Sequence, residues 1–289
     1  MAATADVQLV PGPGPAQSLA AKSQEFVPVK SCEQYLLEEC AEVLHECKPW
    51  VPLLVQESRK IADEIVMLGK SKGLSEESTL ALVCYTADMQ LFGARRNQNF
   101  YHAINRALHD GNTSTCSQLR GYLHFFSRAI SHLPKEHAGW TYRGLTRESF
   151  NSIQNQFTKL TPVVWPGITS VSKSQSIALS FASGKPDVLR RERENQSAKE
   201  AFRKGAVGNS ESRVRPRSDG VLLRIWTTQG VSVETFSWFS THESEMILGP
   251  NFCFVVARPL YVDANVPGVE CIDLVEVCRD IKNCVVTPV

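Results

Sequence analysis

Trp140-Thr141-Tyr142-Arg143-Gly144 marks the place where the chain changes its hydrophobic period. Apolar and polar residues alternate along it, the two-residue repeat of a strand. Arg143 falls on the face opposite Tyr142, and Gly144 marks a close approach of another backbone. Upstream the repeat is helical: residues 33–48, 52–70, 75–92, 97–110 and 115–133 each space their apolar side chains three and four apart. Ser75-Glu76-Glu77-Ser78, ahead of an apolar run, supplies an N-cap and an acidic first turn, and Gly111 after Asp110 supplies a stop. Downstream, strand patterns fall at 140–145, 162–171, 220–227, 231–236, 245–257 and 270–278. Helices followed by strands predict an α+β chain, a helical lobe packed on a mixed β-sandwich. The boundaries read as a tail at 1–27, a helical lobe at 28–136 and a β-rich core at 137–289.

Two segments lack either period. The tail is rich in Pro, Gly, Ala and Ser, has little to bury, and is predicted to be mobile. Residues 184–219 mix Arg190, Arg191, Arg193, Lys199, Arg203, Lys204, Arg213, Arg215 and Arg217 with Glu, Asn and Ser. This reads as an inserted, disordered loop, either solvated surface or a basic strip for an acidic partner.

With 289 residues and 43% apolar composition the chain can bury a core of its own. A net charge of +1 argues against nucleic acid or an anionic membrane as the main partner. The N-terminus lacks the basic start and apolar run of a secretory signal, and no stretch approaches 18 uncharged apolar residues. The expectation is a cytoplasmic monomer without a membrane span. Nine cysteines, an odd number without Cys-x-x-Cys spacing, are expected to be mostly reduced.

Chemistry concentrates in three places. Arg143 lies on the first strand. Ile168-Thr169-Ser170-Val171-Ser172 ends a second, ahead of a helix start at 174–182. In Phe239-Ser240-Thr241-His242-Glu243-Ser244-Glu245-Met246-Ile247-Leu248-Gly249-Pro250, two carboxylates stand two residues apart where a loop becomes an apolar strand. In an extended chain such residues share a face, about 6.6 Å apart, so two acids can address different atoms of one substrate. The spacing alone says little, since about one or two such tripeptides arise by chance. Glu192-Arg193-Glu194 is one, with no strand after it.

Arginine, serine pair and glutamate pair, in that order and each on a strand pattern, resemble the arginine-specific mono-ADP-ribosyltransferases. Their signature is an Arg on the first core strand, Ser-x-Ser on a middle strand and Glu-x-Glu ahead of a late one. The resemblance covers roughly residues 75–260. It includes the Tyr85-Thr86-Ala87-Asp88 segment, the helix Tyr101–Leu108, and a loop at Ser237-Trp238-Phe239-Ser240-Thr241-His242 where that family meets its protein acceptor. Trp238 and Phe239 read equally well as substrate contacts and as core. Val171 stands where the family usually has Thr, and Met246-Ile247-Leu248-Gly249-Pro250 replaces its apolar-Pro-Pro run. The 184–219 insertion occupies the family's phosphate-nicotinamide loop, where an aromatic often packs on nicotinamide; Phe202 is a candidate without further support. Secreted members carry disulfides, which leaves open a bridge from a C-terminal cysteine to the helical half.

The resemblance implies an α+β ADP-ribosyltransferase core, NAD as substrate, an arginine-containing acceptor protein and no metal. Breaking the nicotinamide–ribose bond passes through an oxocarbenium-like transition state, and the leaving group departs as a neutral heterocycle, so no general acid is needed. A fixed carboxylate can accept from the ribose 2-hydroxyl and stabilise the developing positive charge, a role that falls to Glu245. Glu243 would orient and partly deprotonate the incoming guanidinium, which at a pKa above about 12 is no nucleophile. Arg143 supplies forked donors for the pyrophosphate. Ser170 would fix the Glu245 rotamer, with Ser172 beside it, and the Gly144 backbone would hold the nicotinamide amide. Taken singly, each residue also reads as an ion pair, a cap or a rim carboxylate. Three outcomes stay open: a transferase, an NAD glycohydrolase with water as acceptor, and a non-catalytic NAD-binding module.

Overall fold

The computed structural model describes residues 26–40, 43–95, 98–135, 138–160, 162–183, 220–238, 244–266 and 268–277. The tail at 1–25, the whole 184–219 insertion with Phe202, Phe239 and Glu243 lie outside these residues. The helical pattern at 33–48 begins as a single turn, α1 (Cys32–Gln34), and widens into a π-type segment at Tyr35–Glu39 instead of continuing as a regular helix. α2 (Val51–Met67) buries Val51, Leu54, Val55, Ser58, Ala62 and Ile65, one stripe at three- and four-residue spacing. α3 (Glu76–Thr86) starts where Ser75 Oγ accepts from Ser78 N at 3.2 Å, and it is buried all round from Ser78 to Thr86. The pattern at 75–92 ends early because Ala87 and Asp88 are extended, after which Met89–Phe92 forms a 3-10 turn.

α4 (Phe100–Asp110) stops at Gly111, whose φ of 62° is the left-handed turn that glycine adopts without strain. The pattern at 115–133 breaks at Leu119 into α5 (Thr113–Gln118) and α6 (Arg120–His132). No helix among the described residues is long and apolar enough to cross a membrane.

The strands are β1 (Gly139–Leu145), β2 (Pro162–Trp165), β3 (Thr169–Ser172), β4 (Val221–Thr227), β5 (Val231–Ser232), β6 (Glu245–Leu248), β7 (Phe252–Val262) and β8 (Glu270–Glu276). Between β1 and β2 lies α7 (Arg147–Asn151), and after β3 comes α8 (Gln175–Ala182). Two expected strands split. The run at 162–171 breaks at Pro166-Gly167, where proline has no amide to donate, and 245–257 breaks at Gly249-Pro250-Asn251, with Asn251 at φ 60°. The strand expected at 231–236 is shortened to Val231–Ser232, both paired with β6, and Glu234–Phe236 turns as 3-10.

The eight strands form one mixed sheet in the order β2-β7-β8-β4-β1-β3-β6-β5. β4 runs parallel to β8 and antiparallel to β1, and the other pairings are antiparallel. The fold is thus α+β, as expected. β1, β3 and β6, which carry the arginine, the serine pair and the second glutamate, are consecutive in the sheet. The helices and one end of the sheet share an apolar cluster that includes Leu80, Phe100, Tyr122 and Phe126 together with Ile168, Val231, Val233, Phe236 and Ile247. A second cluster, which joins Trp165, Leu223, Phe254 and Ile272 to Val171 of β3 and Met246 and Leu248 of β6, runs along the sheet from β2 to β6.

Candidate active site

β3 and β6 pair with Ser172 opposite Glu245 and Ser170 opposite Ile247. Directly opposed and i, i+2 residues share a face, so Ser170 and Glu245 lie diagonally across the ladder, within side-chain reach. Ser170 Oγ donates to Glu245 Oε1 at 2.7 Å, a short charge-assisted bond between part-buried groups. Glu245 is also held through its backbone, where Val233 N donates to its carbonyl at 3.1 Å. Arg143 reaches in from β1, its Nη1 donating to the Ser170 carbonyl at 2.7 Å. The structure therefore brings Arg143, Ser170 and Glu245 together on three adjacent strands.

Burial pushes the Arg143 guanidinium below its usual range, while Tyr85 and Tyr101 beside it act in the opposite direction. No carboxylate among the described residues pairs with Arg143. A part-buried cation with spare N–H donors and no counter-ion is a ready site for an anion. Both tyrosines come from the helical lobe, Tyr85 on α3 and Tyr101 on α4, so the lobe forms one wall of the site. Tyr85 also feels both Arg143 and Glu245, and burial raises its phenol well above the ordinary range, leaving a neutral hydroxyl. The sequence segments containing these tyrosines stand out by resemblance, yet nothing in their pattern assigns either residue a place.

Ser172 is buried, and its Oγ accepts from Ser174 N at 3.0 Å, closing the turn into α8. Gly144 is required by that helix: a Cβ there would lie 1.8 Å from the Ala178 carbonyl oxygen and 2.5 Å from Ala182 N. The close approach expected from sequence is this strand–helix contact.

The extended geometry expected for the glutamate pair does not hold: Ser244 has φ 44°, in the left-handed region, and its carbonyl accepts from Lys173 N at 3.1 Å. A same-face spacing of about 6.6 Å does not carry across such a residue. A non-glycine residue held there costs about 1–2 kcal/mol. Glu243 itself lies outside the described residues. Trp238 takes the core reading, packing on the helical cluster edge-on to Phe92 with centroids 5.4 Å apart.

The seven described cysteines are free; Cys278 and Cys284 lie outside the described residues. Among the described residues, no group of three or more His, Cys, Asp or Glu side chains could hold a metal.

No protein-family model and no curated protein matches the sequence. Among solved structures, the chain is similar to the type III effector XopAI from Xanthomonas axonopodis pv. citri, at 12% identity, TM-score 0.52, covering 91% of this chain and 95% of that one. It is also similar to the eucaryotic mono-ADP-ribosyltransferase ART2.2, at 16% identity, TM-score 0.48, covering 93% and 91%. The ADP-ribosyltransferase Vis from Vibrio splendidus is similar at 20% identity, TM-score 0.46, covering 80% and 88%. At these identities the likeness is one of fold.

Proposed function

We propose that the chain transfers ADP-ribose from NAD to arginine side chains of proteins, releasing nicotinamide, without a metal and as a monomer. The observation that carries this reading is the 2.7 Å Ser170–Glu245 bond beside a part-buried Arg143 that no described carboxylate pairs. One anion is held in a single rotamer and one cation is left for a ligand, the pair of charges needed by an electron-poor sugar joined to a diphosphate.

The Arg143 guanidinium binds the pyrophosphate through its remaining donors. Glu245 accepts from the ribose 2-hydroxyl and stabilises the oxocarbenium-like transition state as the bond to nicotinamide breaks, its electron pair leaving with the heterocycle. Ser170 holds Glu245 in place, the Gly144 backbone meets the nicotinamide amide, and Ser172 lines the same pocket. The acceptor guanidinium forms the new bond to the anomeric carbon, and Glu243 takes its proton. Excluding water from the cleft favours arginine over hydrolysis, and the helical lobe at 28–136 supplies that cover.

Incubating the purified chain with labelled NAD and agmatine, beside Glu245→Ala, tests this reading. Label on agmatine that disappears in the variant is the expected result. Free nicotinamide without labelled agmatine would make the chain an NAD glycohydrolase, and neither product would leave a non-catalytic binding module.

A further inference from the structure

β1 and β3 pair at one position, Tyr142 with Ser172. Along one edge of an extended chain the main-chain N–H and C=O groups belong to alternate residues, here Ser172, Ser170 and Ile168. Upstream of Ser172 these groups are met by side chains instead of a neighbouring strand. The Ser170 carbonyl takes Arg143 Nη1. Ile168 is held at both of its polar groups by the helical lobe: its N–H donates to Asn105 Oδ1 at 2.8 Å, and its carbonyl accepts from the Tyr85 hydroxyl at 3.1 Å. Asn105 Nδ2 donates to the same hydroxyl at 3.1 Å, which closes the ring of bonds. Gly167 leaves room for it, since a Cβ there would lie 2.8 Å from Asn105 Oδ1. The next residue on α3 holds a second segment, Thr86 Oγ1 donating to the Phe236 carbonyl at 3.0 Å.

We propose that Asn105 and Tyr85 are positioning residues, which clamp the peptide groups of Ile168 and thereby set where β3 presents Ser170 to Glu245. Ile168 immediately precedes β3 and stands two residues ahead of Ser170. A β3 released at Ile168 is free to shift along β6, and the 2.7 Å contact between Ser170 and Glu245 is the first to suffer. The Tyr85 side of the clamp is buried, with Tyr85 3% exposed, so losing its hydroxyl leaves the Ile168 carbonyl unsatisfied, while the Asn105 bonds are part-buried. The inference rests on the proposed function for its kinetic consequence but not for the clamp itself.

The test compares wild type, Asn105→Ala and Tyr85→Phe, alone and combined with Ser170→Ala. Nicotinamide release from NAD gives kcat and KM, and hydrogen exchange is followed at residues 168–172 and in α6. Each single variant is expected to lower kcat about 10- to 100-fold while moving KM for NAD less than threefold. In the Ser170→Ala background the further loss shrinks to less than about threefold, because the contact being positioned is already gone. Exchange at 168–172 rises about tenfold or more while α6 keeps its wild-type rates. Kinetic losses that multiply with Ser170→Ala overturn the positioning role, and unchanged exchange at 168–172 in both variants overturns the clamp. A wild-type protein that releases no nicotinamide sinks the proposed function instead, and the exchange comparison still decides the clamp. Tyr85→Phe keeps the ring that packs 5.1 Å from Phe126 and carries the test if Asn105→Ala does not fold.

Discussion

Ser170→Ala removes one atom and one bond, the 2.7 Å contact to Glu245 Oε1. A neutral donor on an ionised acceptor contributes about 1.5–3 kcal/mol, and about 1.4 kcal/mol is tenfold in rate. If the hydroxyl serves to hold Glu245 against the ribose as charge develops, kcat for nicotinamide release is expected to fall roughly 10- to 150-fold. KM for NAD should stay within about threefold, since Arg143, whose guanidinium meets the Ser170 carbonyl and not its hydroxyl, is untouched. The assay is steady-state nicotinamide release across NAD concentrations, with a thermal melt to show that the variant folds. A kcat within threefold of wild type refutes the orienting role. A normal kcat with KM raised tenfold would mean that Ser170 binds the dinucleotide and does not orient the carboxylate.

Gly144→Ala sets a methyl 1.8 Å from the Ala178 carbonyl oxygen, so α8 must move. The expected cost is about 1–3 kcal/mol, a fall of several degrees in melting temperature, and calorimetry showing no shift would contradict the packing. Glu243→Gln is expected to abolish arginine labelling while sparing nicotinamide release; simultaneous loss of both activities would refute the division of labour between the two acids. Burial pushes the thiols of Cys40, Cys47 and Cys84 up to about 12, above the unfolded value of about 8.5. The native protein should leave all three unlabelled by a thiol reagent at pH 8. Because the unfolded chain sheds these protons first, denaturation midpoints should fall as pH rises from about 8.5 toward 12, and a flat profile over that range would contradict it.

Much of the architecture was legible because periodicity and punctuation act locally. The change of period at Trp140, the cap at Ser75 and the stop at Gly111 depend on near neighbours, and the structure follows them. The structure departs from the apolar pattern where a short-range signal competes with it. Pro166-Gly167 and Gly249-Pro250 each cut what reads as a single strand, and extended Ala87 and Asp88 end a helix whose hydrophobic spacing continues to Phe92. The convergence of Arg143, Ser170 and Glu245 could be anticipated from their order on strand patterns. The left-handed Ser244 could not, since a serine carries no mark of positive φ. The grip of Tyr85 and Asn105 on Ile168 spans 83 and 63 residues of sequence, and no pattern in one chain encodes a bond between a side chain and a distant peptide.

Ile168, Val231, Val233, Phe236 and Ile247 lie in the same apolar cluster as Leu80, Phe100 and Tyr122, so the helices that carry those residues, α3, α4 and α6, are no detachable lid. A chimera spliced at the chain's change of period would separate the two sides of one packed interior. The residues facing each other across that seam would have to travel as a set for the hybrid to pack.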